Sequence, residues 1–355
     1  MTELWTLGVA APNKIAAYAQ RVEAEGYAGL AVVDSQNLSG DPYVALALAA
    51  AATSRIGLAT GVTNPYTRHP AATASSIASV QAVSRGRAVL GIGRGDSALA
   101  HLGLAPAPVA HFERYLKRLQ GYLRGDDVPF DDSADAGDVA SMDALALGDQ
   151  PKASRIHWVA SQPKVPVDVA ASGPKVIALG ALVADRVTFA LGADVERLRW
   201  GIALARAARS AAGLDPDAVS FGAYVNVAAH ADVDVARQLV AGGLSTLARF
   251  NVMHGSTAGP HDDGAKAVLA ELHERYDMNH HTQSGSAQAN VLTADFVDRY
   301  AVVGDAATVV ARLRALAELG LDRFVVMGAG RAPGLDDEGR HAQVLLAREV
   351  VPAFA

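Results

Sequence analysis

The chain has 355 residues and no cysteine, which removes disulfides and thiolate chemistry from consideration. Charge is sparse, at 19% of residues, and the balance is acidic: 31 Lys and Arg against 37 Asp and Glu, a formal net charge of −6. Nucleic-acid binding calls for a basic face, so nucleic acid is not expected as a partner. Long apolar runs are missing as well: no stretch reaches the roughly eighteen uncharged apolar residues that a membrane span needs. The start, Met1-Thr2-Glu3-Leu4-Trp5, lacks the basic segment and apolar core of an export signal. A soluble, cytoplasmic protein with no membrane contact is therefore expected. What is present is apolar material, half of all residues. That is enough for a large core, and the length suits an α/β barrel with insertions.

The hydrophobic pattern alternates between short apolar runs and helical periodicity. Eight strands are expected, at Leu4–Ala10, Ala28–Val33, Ile56–Val62, Ala88–Ile92, Val165–Ala170, Arg186–Leu191, Ser220–Ala228 and Arg323–Met327. Helices fall between them, as at Val109–Arg124, where Phe112, Tyr115, Leu116, Leu119 and Leu123 form one apolar stripe. Two excursions interrupt the rhythm, residues 126–157 and 251–293. Both read as irregular, the first with room for a hairpin. Eight alternations match a (β/α)8 TIM barrel, expected to span residues 1–355 as one domain; a doubly wound open sheet is the alternative.

The stretch Arg87–Leu104 anchors the functional reading. A buried-strand run ends in Gly91-Ile92-Gly93-Arg94-Gly95, followed by Asp96 and Ser97. This puts a carboxylate and a hydroxyl just past the carboxyl end of a strand, where parallel α/β folds bind ligands. A dinucleotide fingerprint, an Arg-Gly-Asp adhesion tripeptide and a plain glycine-rich turn are competing readings. The first belongs on an opening strand, which this is not.

Gly61-Val-Thr-Asn-Pro-Tyr-Thr-Arg-His-Pro70, Gly91–Ser97, Ala171-Ser-Gly-Pro-Lys175 and Val302-Val-Gly-Asp305 with Asp322–Val326 together resemble the luciferase-like superfamily. Within it they resemble the coenzyme F420 (deazaflavin)-dependent oxidoreductases close to methylenetetrahydromethanopterin reductases. The resemblance runs from the first strand to the last. It implies a TIM-type barrel, hydride transfer between coenzyme F420 and a small-molecule substrate, and a homodimer. FMN with monooxygenase chemistry, or a non-catalytic cofactor-binding barrel, is the alternative.

By the same resemblance Asp34 and Asp96 sit by the deazaflavin ring, with Gly61-Val62 forming a bulge behind it through a cis peptide. Gly93, Ser97 and Ala171 also bind the cofactor, and Ser172 and Gly173 hold the coenzyme phosphate. Two positions depart from the sugar-phosphate dehydrogenase branch: Ser35 stands where that branch has histidine, and Ala193 where it has lysine.

Physical chemistry gives each of these residues a role and a plainer alternative. Asp34 and Asp96 close strands two and four, and partial desolvation there would raise a carboxyl pKa into the range of proton transfer. Alternatively, each caps the next helix. Ser172-Gly173 opens a helix whose free amides favour phosphate; the rival phosphate site is Gly328–Gly334. Ser172-Gly-Pro-Lys175 also matches S-x-x-K, but the S-D-N and K-T-G elements that accompany it in serine acylases are missing. His254, His261, His273, His280 and His281 lack metal-ligand spacing, so no metal is expected.

Overall fold

The computed structural model describes residues 2–130, 142–253, 255–330 and 332–355. Eight parallel strands close into a barrel: β1 (Glu3–Gly8), β2 (Gly29–Val32), β3 (Gly57–Thr60), β4 (Ala88–Ile92), β5 (Val167–Ala171), β6 (Arg186–Phe189), β7 (Ser220–Ala229) and β8 (Arg323–Met327). Each pairs with the next, and β8 returns to β1 with Trp5 opposite Val325. All eight expected strands are present, and the closed ring rules out the open sheet. Parallel strands covered on both faces read as continuous apolar runs, which is why they were visible.

The two faces of the strands do different work. Leu30, Leu58, Leu90, Val167 and Val187 face the helical layer and are fully buried. The lumen is filled by Trp5, Ala31, Ala59, Val89 and Val325. Trp5 fits because its neighbours on β2 and β3 are Gly29 and Gly57: a Cβ at Gly29 would lie 2.2 Å from the indole, and one at Gly57 2.4 Å. Lower in the barrel Asp168 accepts from the Thr188 hydroxyl at 2.8 Å and from the Arg323 guanidinium, so the buried charges are paired.

Five of the described helices start where the sequence supplies aspartate. Asp41, Asp194, Asp232, Asp262 and Asp305 each cap one, accepting backbone amides of the first turn. The helix Val109–Arg124 has the expected bounds and ends on Gly125 in the left-handed conformation, at φ 76°.

The excursions need correction in part. The ends of the first pair antiparallel, Val128–Pro129 with Ala153–Ser154; the hairpin expected between them falls partly on 131–141, outside the described residues. The second is not wholly irregular, since it contains the helix Asp263–Arg275. Its Ala265, Val268, Leu269 and Leu272 are buried at helical spacing. Gly242, in the helix Val233–Arg249, is where the rest of this excursion docks. A Cβ there would lie 2.4 Å from the Thr282 carbonyl oxygen, and the Ser284 hydroxyl accepts the Gly242 amide at 3.2 Å. No described helix is long and apolar enough to cross a membrane.

Candidate active site

The residues singled out in the sequence lie at the carboxyl ends of four consecutive strands, β2 to β5. Backbone bonds join the first three segments. Gly61 donates to Val32 at 2.7 Å, Thr63 to Gly91 at 3.0 Å, and Gly93 back to Thr63 at 2.9 Å. The Gly61–Val62 peptide is cis, as expected. Close packing explains the glycines. A Cβ at Gly91 would meet the Thr60 carbonyl oxygen at 2.1 Å, and one at Gly93 would lie 3.2 Å from Val62. The loop is therefore a packed wall, and Gly95, at φ 86°, turns the chain into the short helix Asp96–Ala100.

Asp34 is 2% exposed and caps no helix. Its carboxylate accepts from the Thr63 hydroxyl at 2.7 Å, the Gln36 amide at 2.5 Å and the Arg68 guanidinium at 3.1 Å. Burial raises its pKa, while the Thr63 bond and the Arg68 charge pull the other way. Arg68 also pairs with Asp41 at 2.5 Å, tying the site to the helix that Asp41 caps.

Asp96 opens the short helix after β4. Its carboxylate is ion-paired with Arg249, at the end of the helix Val233–Arg249; the two side chains are 14% and 13% exposed. A contacting cation favours the charged form of a carboxyl. The Arg249 guanidinium lies 4.6 Å from the centre of the Tyr276 ring. The Tyr276 hydroxyl is 2.8 Å from His281 Nδ1 and 3.2 Å from the Thr246 hydroxyl. His281 in turn packs edge-on to His101, ring centres 6.2 Å apart. Its pKa is lowered to about 4 by burial, with Arg249 and His101 adding to the effect.

Ser97 follows Asp96 in the same helix, partly buried. At β5, Ala171 is buried and Ser172 donates to the Phe250 carbonyl at 3.2 Å, so that hydroxyl proton is already engaged. The helix Pro174–Val183 has no side-chain cap, and a Cβ at Gly173 would meet open space. In the rival loop after β8, Gly330 spends its amide on the Leu239 carbonyl.

The histidines do not act as a set. His273 and His280 are exposed, His261 and His281 half-buried, and His254 lies outside the described residues. Among the described residues no group of three or more His, Asp or Glu side chains is placed to hold a metal. A second cleft, of about 710 Å3, is lined by Asp194, Glu196, His261, Asp262, Arg299 and Arg312, and by none of the expected site residues. Arg299 bridges Asp194, Glu196 and Asp262 there, an ion-pair network that ties the second excursion to the barrel.

Sequence reasoning missed Arg249, Tyr276, His101, Thr63 and Arg68 as parts of the site. Thr63 and Arg68 stood inside a recognised motif. Arg249 had no local signal, being 153 residues from Asp96 in the chain.

A 5,10-methylenetetrahydromethanopterin reductase of Methanolobus tindarius is 29% identical over 347 residues, covering 95% of each chain. The enzyme of that name from Archaeoglobus fulgidus is 27% identical, covering 94% of each. The solved coenzyme F420-dependent tetrahydromethanopterin reductase of Methanopyrus kandleri superposes with a TM-score of 0.74 at 23% identity, over 100% of this chain and 99% of that one. The family model for luciferase-like monooxygenases matches residues 3–323, and the chain belongs to that family.

Proposed function

We propose that this chain is a coenzyme F420-dependent oxidoreductase, transferring a hydride between the deazaflavin and a small organic substrate. The observation that carries the reading is the arc of four strand ends, with Asp34, Gly61-Val62, Gly93–Ser97 and Ala171–Gly173 on consecutive strands of one barrel mouth. The name of the solved Methanopyrus kandleri enzyme supplies the cofactor, and the relatives' names point to a methylene-bearing tetrahydropterin as the first substrate to test.

The residues present suit such a cofactor. Gln36 Oε1, Asn64 Nδ2 and His101 Nε2 are buried around the mouth without a partner among the described residues, and buried polar atoms call for one. A heteroaromatic ring edge bearing both carbonyls and N–H groups would supply those partners. Open space at Gly173, before an uncapped helix, leaves room for a phosphate on backbone amides. The Ser172 hydroxyl positions that turn through Phe250.

When bound, the coenzyme supplies hydride chemistry; the protein supplies placement, electrostatics and any proton. In this reading Asp34, locked by Thr63, Gln36 and Arg68, anchors the polar edge of the ring. Val62 and Gly93 form the wall behind it. Asp96, on the substrate side, accepts or returns the proton that accompanies hydride transfer. The second excursion closes the mouth over the substrate and contributes Tyr276 and His281. A single barrel unit, a homodimer and a cytoplasmic setting belong to the same reading, with sedimentation of the purified chain as the test of the dimer.

The deciding experiment is titration of the purified protein with coenzyme F420 and with FMN, followed by fluorescence. Saturable binding of F420, with no oxygen consumption on reduction, is expected. Co-purification of tightly held FMN with oxygen uptake would overturn the reading in favour of a monooxygenase.

A further inference from the structure

We infer that Arg249 is the positioning residue of Asp96, holding its carboxylate charged and fixed at the barrel mouth until substrate enters. The inference rests on the reading of Asp96 as the proton-transferring residue, and it adds a residue 153 positions away in the chain.

Arg249 is committed on several sides. It pairs with Asp96, lies against the face of Tyr276 and is largely buried. Its Nε atom is buried with no partner among the described residues. A guanidinium planted in this way is a fixed charge on a rigid arm, since its stem leaves the last turn of a seventeen-residue helix. The next residue, Phe250, accepts from Ser172 through its carbonyl, so one helix end touches both the proposed proton site and the proposed phosphate site.

The charges around Asp96 come from three elements. Arg94, on the same loop, is electrostatically coupled to Asp96 and is tied to the Ala107 carbonyl at 2.5 Å. Arg249 faces it from the helix Val233–Arg249. From the second excursion, Tyr276 feels the Asp96 charge, while His281 beside it is held neutral near pH 7 by burial and by Arg249. His101 closes the group from the far end of the short helix. Arg94 and Arg249 thus both bear on Asp96, and the Arg249 guanidinium makes an ion pair with it. The pairing has a directional consequence. A carboxylate in an ion pair is ready to accept a proton, and it gives one up only after the pair has loosened and the carboxyl has been protonated.

The unpartnered Nε suggests how loosening occurs. A substrate carbonyl or carboxylate entering the mouth would accept from Arg249 and turn the guanidinium toward itself, away from Asp96.

The test does not depend on coenzyme or substrate. In protein labelled with carbon-13 at the aspartate carboxyls, the Asp96 resonance is assigned by its loss in Asp96→Asn and then titrated with pH. In Arg249→Met its midpoint should rise by about 1–3 units relative to wild type, and Arg249→Lys should bring it most of the way back. If Arg249→Met folds poorly, Arg249→Gln, which keeps the hydrogen bonding and drops the charge, takes its place. An unchanged midpoint in the folded charge-neutral variant would overturn the inference. A failure to bind F420 would instead count against the proposed function and leave this titration standing. With a methylene-tetrahydropterin as probe, the pH profile of kcat in Arg249→Met should shift in the same direction, with the F420 Kd unchanged. A shift in Kd alone would assign Arg249 to cofactor binding and overturn the positioning role.

Discussion

Replacing Thr63 by valine tests whether Asp34 is held as a charged group. Thr63 is fully buried, and valine keeps its shape while removing the hydroxyl that donates to Asp34 at 2.7 Å. A hydrogen bond to a charged group contributes about 1.5–3 kcal/mol, against about 0.5–1.5 kcal/mol for a neutral pair. At about 1.36 kcal/mol per pKa unit, the loss should push the Asp34 pKa up by roughly a further 1–2 units. Its folded pKa already lies above the reference of 3.8, because burial outweighs the donors. The folded chain therefore holds this proton more tightly than the unfolded chain. The resulting stabilisation is present below the ordinary carboxylate range and is lost as pH climbs through the raised folded value. Thr63→Val extends that loss to higher pH. Urea unfolding should show a deficit of about 1.5–3 kcal/mol in mildly alkaline buffer, shrinking to about 0.5–1.5 kcal/mol once Asp34 is protonated. In an Asp34→Asn background the pH dependence of the deficit should vanish. A deficit that is the same at every pH would refute the reasoning and reduce Thr63 to a packing residue.

Asp96→Asn keeps the shape of the side chain and loses the titrating group. Turnover with a competent substrate should fall by roughly 10²–10⁴-fold while the F420 Kd barely moves; near-normal turnover would return the residue to loop structure. Ser172→Asp sets a negative charge at the proposed phosphate position, so F420 fluorescence titration should show weakened binding with little change in thermal unfolding. Unchanged affinity would redirect attention to the loop after β8. Gly29→Ala drives a Cβ into the Trp5 indole and should destabilise by about 1–3 kcal/mol in urea, with Trp5→Phe in the same chain recovering part of the loss.

The barrel was legible because its strands are buried on both faces, and the site was legible wherever it lay on strand ends with glycine and aspartate. Val302-Val-Gly-Asp305 shows the same local clarity: three strand residues pair alongside β7, and Asp305 caps the next helix. The helix Asp263–Arg275 was obscured because glycine and histidine surround a short apolar stripe. Its Ala265, Val268, Leu269 and Leu272 carry the pattern, in a window too narrow to stand out. Arg249 was beyond reach for another reason. Its place in the site depends on tertiary closure, and nothing near it distinguishes a site arginine from one on a solvated helix end. The ion pair at Asp96 was hidden for the same cause, since its cation arrives from the seventh strand's helix.

The docking of segment 282–284 onto the bare backbone at Gly242 gives this molecule a natural seam for engineering. The segment bearing Tyr276 and His281 is seated on the same helix that ends in Arg249. A library that varies residues 276–281 and leaves Gly242 and Ser284 untouched would redraw the wall over the barrel mouth while the seat is retained. Variation at Gly242 itself would lift the whole segment, since any side chain there meets the Thr282 carbonyl. On the proposed reading, substrate range and anchorage are written in separate parts of the chain, and the one can drift while the other is kept.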